Sequence, residues 1–166
     1  MLDFRPVLYI IGILLTTLAA AMCAPLMADL MVGHPDWQVF AGSAGLTAFV
    51  GITLLLTTMS PPARLSVRQA FILTTTSWLA LTLFAALPFA FADLELNFTD
   101  AFFEAMSGLT TTGSTVITTL DTAPSGILLW RAILQWLGGI GIIVMSIAIL
   151  PMLKIGGNQL FRTESS

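Results

Sequence analysis

The chain has 166 residues, of which 57% are hydrophobic and 9% charged, with a formal net charge of −3. A soluble domain carries about 25% charged residues, so this is the composition of a membrane protein. The thin negative charge offers no basic face for nucleic acid, and a single cysteine, Cys23, excludes an internal disulfide.

The first segment, "MLDFRPVLYIIGILLTTLAAAMCAPLM", is too long in its apolar run for a signal peptide, whose core is about 7–15 residues. Met22 before Cys23 is too large for a lipoprotein cleavage site, so the segment reads as a retained anchor. It contributes the first of four uncharged stretches long enough to cross a bilayer, which takes about 20 residues. They run from Pro6 to Ala28, Trp37 to Ser60, Gln69 to Ala92, and Ala132 to Leu153 with an approach from Ile127. Pro25 and Pro88 fall near span ends, where a lost backbone hydrogen bond costs least. Cys23 reads as a packed or lipid-facing thiol. After the first span, "DLMVGHPDW" supplies acids and a lone His34, which has no partner cluster for a metal. In the second span Ala41, Ala44, Gly45 and Ala48 fall on one helical face, suited to close packing within the protein or to a dimer contact.

Between the third and fourth spans lies the unusual part. "NFTDAFFEAMSG" carries Asn97, Thr99 and Asp100, which suit the start of a helix, and predicts one from Phe98 to Leu109. Such a helix rises about 18 Å, roughly half a bilayer, and Gly108 suits its termination. About six extended residues, "TTTGST", would bring the chain back to the surface it left. Non-helical backbone at that depth survives only inside protein or beside a watery path. The uncharged ribbon presents carbonyls and threonine hydroxyls, ligands for a hard cation, and the negative end of the half-helix favours positive charge there. Gly113 supplies the unusual dihedrals that carbonyls facing one axis require. A surface loop with an amphipathic helix is the competing reading. Glu104 in the half-helix and Arg131 at the outer start of the last span are expected to pair and brace the loop, with ion attraction by Glu104 as a second role.

In the last span, Gly138, Gly139 and Gly141 of "QWLGGIGIIV" flatten the helix, either for close approach of the half-helix or as a hinge. Gln135 sits behind the ribbon or near the interface. Trp37, Trp78, Trp130 and Trp136 read as interfacial or packing residues and the eight methionines as apolar filler. No nucleophile–base pair, metal-ligand set or phosphate-binding glycine loop marks an enzyme. The acids Asp93, Glu95, Asp100 and Asp121 suit enrichment of cations near a mouth.

Cations fix the orientation. Arg5 precedes the first span, Arg64 and Arg68 lie between the second and third, and Lys154 and Arg162 follow the fourth, so both termini are expected to be cytoplasmic. A fifth crossing through the ribbon would put Lys154 and Arg162 outside, so the ribbon is expected to leave and return on the outer side. Cysteines introduced at Gly33 and Ala123 are then expected to react with an impermeant reagent from outside, and those at Pro62 or Gly156 are not. External labelling at Gly156 would invert the last span and remove the re-entrant loop.

With these features in place, the whole chain resembles the membrane subunit of bacterial Trk-type potassium uptake systems (TrkH/TrkG-like, in the Trk/Ktr/HKT superfamily). The resemblance rests on "RPVLYIIGILL", "LPFAFADLELNFTDAFFEAMSGLTTTGSTVITTLD" and "LLWRAILQWLGGIGIIVMSIAILPML". It implies an all-α integral membrane protein with four transmembrane helices plus a re-entrant half-helix and extended pore loop. Residues 1–64 would be a leading two-helix unit, 65–156 the first helix–pore loop–helix repeat, and 157–166 the start of a cytoplasmic connection. Thr111, Thr112, Gly113, Ser114 and Thr115 would form one quarter of a filter for potassium, the transported ion, with no other cofactor. The family carries four such repeats, so the other three are expected from further chain or further copies, and the leading pair would crowd a homotetramer. Membrane lipid, a homodimer of full-length subunits and a cytoplasmic nucleotide-binding regulatory subunit are the implied partners, in the bacterial inner membrane. A non-transporting four-span assembly protein is the alternative.

Overall fold

The computed structural model describes the backbone of residues 4–59, 65–118 and 120–162, and the side chains of these up to residue 147. The described residues hold six α-helices and no strand. The helices are α1 (Arg5–Val32), α2 (Trp37–Thr57), α3 (Val67–Ala85), α4 (Leu87–Phe91), α5 (Phe98–Leu109) and α6 (Ser125–Arg162), with a 3-10 turn at Leu120–Thr122 before α6.

Local chemistry sets the boundaries. Pro6 opens α1, where its missing N–H has no helical partner to lose. Gly33 closes it in a left-handed conformation, φ 76°. This end lies beyond the expected Ala28, so Asp29 belongs to the last turn of α1 and not to an outer loop. Pro25, near the expected span end, is inside the helix and buried. α3 begins before the expected Gln69 because Ser66 and Gln69 form a reciprocal cap. The Ser66 hydroxyl accepts from the Gln69 N–H, and the Gln69 side-chain Oε1 accepts from the Ser66 N–H at 2.8 Å. Pro88 stands in the first turn of α4 and marks the break from α3, though Val67–Phe91 together still form one apolar stretch. Asn97 caps α5 by accepting from the Asp100 N–H at 3.0 Å.

Four stretches are long and apolar enough to cross a membrane: Arg5–Val32, Trp37–Thr57, Val67–Phe91 and Ser125–Ile147. Their threonines are compatible with that medium because the hydroxyls donate to carbonyls one turn back, as at Thr16, Thr47, Thr74 and Thr82. Large apolar side chains such as Phe49, Leu56, Trp136 and Ile147 point outward, as lipid or further helices require. Cys23 is likewise exposed.

One end of the bundle gathers the C-terminal ends of α1 and α3 with the N-terminal ends of α2 and α6. Trp130 of α6 is fully buried there, edge-on to Phe40 of α2 with ring centroids 6.3 Å apart, and its indole N–H donates to the Ala85 carbonyl at 3.1 Å. Residues 86–124 therefore leave and return at the same end. α2 turns Phe40, Ser43, Thr47 and Gly51 inward, not the expected stripe. Ala41, Ala44 and Ala48 of that stripe are only half-buried and Gly45 is exposed. The close approach to α1 is made instead where Gly51 meets Gly12 and Thr16.

Candidate functional site: a re-entrant helix and ribbon

α5 and the chain after it form the one strongly irregular region of the described membrane bundle. α5 has 12 residues, so it rises about 18 Å. Its end meets α6: Gly108 faces Leu134, and the Leu109 carbonyl is pressed onto Gly138. Gly138 lies about 20 Å along α6 from Ser125, just beyond the midpoint of the apolar stretch. The half-helix therefore ends at mid-span depth.

The turn there differs from the one expected at Gly108, which is helical and buried and serves the contact with Leu134. The helix is closed by Thr111, in a left-handed conformation at φ 58°. The Thr111 N–H donates to Gly108 O at 3.0 Å and the Thr112 N–H to Ser107 O at 3.0 Å, the paired pattern of a Schellman cap. Glycine usually fills that position; a β-branched residue there is disfavoured by about 1–2 kcal/mol. Gly113 follows with φ 77°, its N–H also on Ser107 O at 3.2 Å. Backbone strain held in place by surrounding contacts is a mark of functional sites.

Beyond the turn, the ribbon rises along α5. The Ser107 hydroxyl donates to the Ser114 carbonyl at 2.6 Å. One turn of helix higher, Glu104 Oε2 accepts from the Thr115 hydroxyl at 3.1 Å and the Val116 N–H at 3.0 Å. The other oxygen, Oε1, lies 2.6 Å from Arg131 Nε, an ion pair by distance without an aligned hydrogen bond. The Glu104 side chain is fully buried and that of Arg131 nearly so, at 14%. One carboxylate thus ties helix, ribbon and α6 together.

Thr111, Thr112, Gly113, Ser114 and Thr115 are exposed. Among the described residues, no donor engages the carbonyls of Thr111, Thr112, Gly113 or Thr115, whereas that of Ser114 is held by Ser107. The Gln135 amide approaches Gly113 from α6. Of Gly138, Gly139 and Gly141, only Gly138 is in hard contact; Gly139 faces the Thr111 methyl at an ordinary distance and Gly141 faces open space.

Other sequence candidates lie apart from the ribbon. Asp93, Glu95 and Asp121 are exposed and Asp100 half-buried on the connection between α4 and α6. The His34 imidazole lies 3.7 Å from the Asp36 carboxylate, and no three His, Cys, Asp or Glu side chains among the described residues gather around a common point. Burial pushes the Asp36 carboxyl above its usual range; His34 opposes this, and Asp29 and Asp93 add to it. Asp29, expected in a loop, lies elsewhere. It is fully buried and its Oδ1 accepts from the Gly126 N–H at 2.7 Å and the Ser125 hydroxyl at 3.2 Å, at the start of α6.

A multi-pass helical membrane protein with a half-span helix and returning ribbon defines a class in which backbone carbonyls are brought to the middle of the bilayer. The chain belongs to the TrkH cation transport protein family, which it matches over residues 36–166. It is 43% identical to the Trk system potassium uptake protein TrkI of Halomonas elongata, over 98% of this chain and 33% of that protein. It is 38% identical to TrkH of Escherichia coli K12, over 98% of this chain and 34% of that protein. The crystal structure of the potassium transporter TrkH from Vibrio parahaemolyticus superposes with a TM-score of 0.87 at 39% identity, covering 94% of this chain and 34% of that one. The chain thus spans about a third of the length of these relatives. The all-helical, four-span fold expected from sequence agrees with both structure and family, and the family is one of transporters.

Proposed function

We propose that this chain takes part in potassium uptake across the bacterial cytoplasmic membrane, with Thr111, Thr112, Gly113, Ser114 and Thr115 as one quarter of a selectivity filter. The observation that carries this reading is an exposed ribbon that begins at mid-span depth, where the carbonyls of Thr111, Thr112, Gly113 and Thr115 have no donor among the described residues. Lipid cannot satisfy such groups, so the ribbon must face other protein and a hydrated path, where carbonyls can replace the water shell of a cation. The names of the relatives supply potassium as the cargo. Residues 1–64 act as a leading helix pair, 65–156 as one helix–pore loop–helix repeat, and 157–166 as the start of a cytoplasmic connection. Three further repeats complete the filter. Both termini face the cytoplasm, and the assembled subunit pairs as a homodimer with a nucleotide-binding regulatory subunit on that side. Glu104 and Arg131 brace the ribbon and Gly138 seats the half-helix.

Gly113→Ser tests the reading in a complete four-repeat protein carrying this chain. A built side chain at Gly113 meets only the Gln135 amide, at 3.8 Å, so the obstacle is its φ of 77° and not crowding. The strain is about 1–2 kcal/mol, too small to empty the membrane of protein but enough to re-aim a carbonyl. Expression is expected to persist while discrimination of potassium over sodium falls. Thr111→Val keeps the carbonyl and is expected to act more mildly. Uptake of both ions, measured in cells without other potassium routes, decides. Unchanged affinity and selectivity in Gly113→Ser would make the ribbon a plain loop and leave a non-transporting assembly role.

A further inference from the structure

We propose that Asp29 is a positioning residue through which the leading helix pair sets the outer end of α6, and with it the ribbon; this rests on the ion-path reading above. Asp29 stands in the last turn of α1 and is fully buried. A carboxylate is costly to bury unless hydrogen-bonded; Oδ1 of Asp29 takes both its donors from the first two residues of α6, while Oδ2 is buried with no hydrogen-bond partner among the described residues. The first N–H groups of a helix have no partner within it, and the helix dipole makes that end positive. Asp29 therefore caps α6 from a different helix, 97 residues away in sequence from Gly126.

The contact is tight enough to set a distance. A Cβ at Gly126 would meet both oxygens of the Asp29 carboxylate well inside van der Waals contact. α6 can neither advance toward α1 nor turn its first residues without breaking this seat. Five residues further along the same helix, Arg131 meets Glu104, and Glu104 holds the Thr115 hydroxyl and the Val116 N–H. A continuous chain of polar contacts thus runs from α1 through rigid α6 to the ribbon. It gives the leading pair, which contributes nothing to the ribbon itself, a stake in where the carbonyls sit.

The test uses the complete four-repeat protein carrying this chain, in cells without other potassium uptake, with rates normalised to folded protein in the membrane. The unsubstituted protein must take up potassium; if it does not, the ion-path reading fails first and the result says so directly. Asp29→Ala and Gly126→Ala are each expected to shift KM for potassium, or the potassium–sodium ratio, by about two- to thirtyfold, the range for changes transmitted through intervening contacts. Asp29→Asn, which keeps one acceptor oxygen for the Gly126 N–H, is expected to stay nearer the unsubstituted values. The double variant Asp29→Ala/Gly126→Ala is expected to recover relative to Gly126→Ala, because the new methyl gains the vacated space. If Asp29→Ala yields no folded protein, Gly126→Ala alone carries the test, with the same expected shift. Variants that change only the amount of folded protein, with KM and selectivity per molecule untouched, would overturn the proposal.

Discussion

Glu104→Gln and Arg131→Gln are each expected to destabilise the protein by about 3–5 kcal/mol, and the double variant by less than their sum. The pair is 2.6 Å apart and shielded from solvent on both sides. Removing one member leaves the other charge buried without its counter-ion, which is the costly state. Arg131→Gln is expected to be the worse single change, because Glu104 is fully buried whereas the Arg131 side chain keeps 14% of its surface open. Glu104→Gln carries a second consequence: the Thr115 hydroxyl and Val116 N–H lose a charged acceptor, so the outer limb of the ribbon loosens. Unfolding of the complete detergent-solubilised protein measures all three variants. Strict additivity would show that the two groups do not act as a pair.

What could be read from the sequence was whatever local chemistry writes locally. The half-helix runs from Phe98 to Leu109 as expected, because Asn97 is a strong cap and twelve residues exhaust the apolar pattern. The four spans follow from uncharged length alone. The start of α3 was equally available, since "SVRQ" carries the reciprocal Ser–Gln cap two residues before the apolar run is obvious. Gly108 was misread because glycine serves both helix ends and close contacts, and only the packing against Leu134 tells them apart. The true terminator, Thr111, violates its own propensity and so could not be inferred from residue type.

The Glu104–Arg131 pair was legible from charge and depth, but two other long-range partnerships left no local pattern. Asp29 looked like a loop acid because "DLMVGHPDW" is polar at its ends, while the helix runs on to Val32 and carries the carboxylate inward. Nothing near residue 29 announces that Ser125 and Gly126 wait for it. The small-residue stripe on α2 is a similar case: the pattern identifies a face that permits close packing, not the partner that uses it. α1 approaches instead at Gly51, where Thr16 and Gly12 leave room for backbone to meet backbone. A helix in a bilayer has no single solvent face, so periodicity constrains its rotation weakly.

Gly138→Ala is expected to be the most damaging small substitution in the chain. A Cβ there would overlap the Leu109 carbonyl oxygen and sit 2.6 Å from its carbon, and both are backbone atoms that no rotamer change can clear. The end of α5 would have to retreat from α6 by more than about 1 Å, with an overpacking cost of about 1–3 kcal/mol or more. That retreat carries Thr111 and Gly113 with it, since their N–H groups hang from the last carbonyls of α5. Filter function depends on where the carbonyls sit, so uptake and selectivity should fall together, further than the stability loss alone would explain. Gly139→Ala and Gly141→Ala are the matched controls: the first meets only the Thr111 methyl at 3.9 Å and the second meets nothing, while alanine gains up to about 1 kcal/mol in helix propensity. Potassium and sodium uptake by the three variants in the complete four-repeat protein, each normalised to folded protein, separates two physical accounts of the same glycine cluster. A close-contact role predicts one damaged variant and two near-normal ones. Equal damage in all three would instead point to a hinge, in which the flexibility of α6 matters and the seat of the half-helix at Gly138 does not.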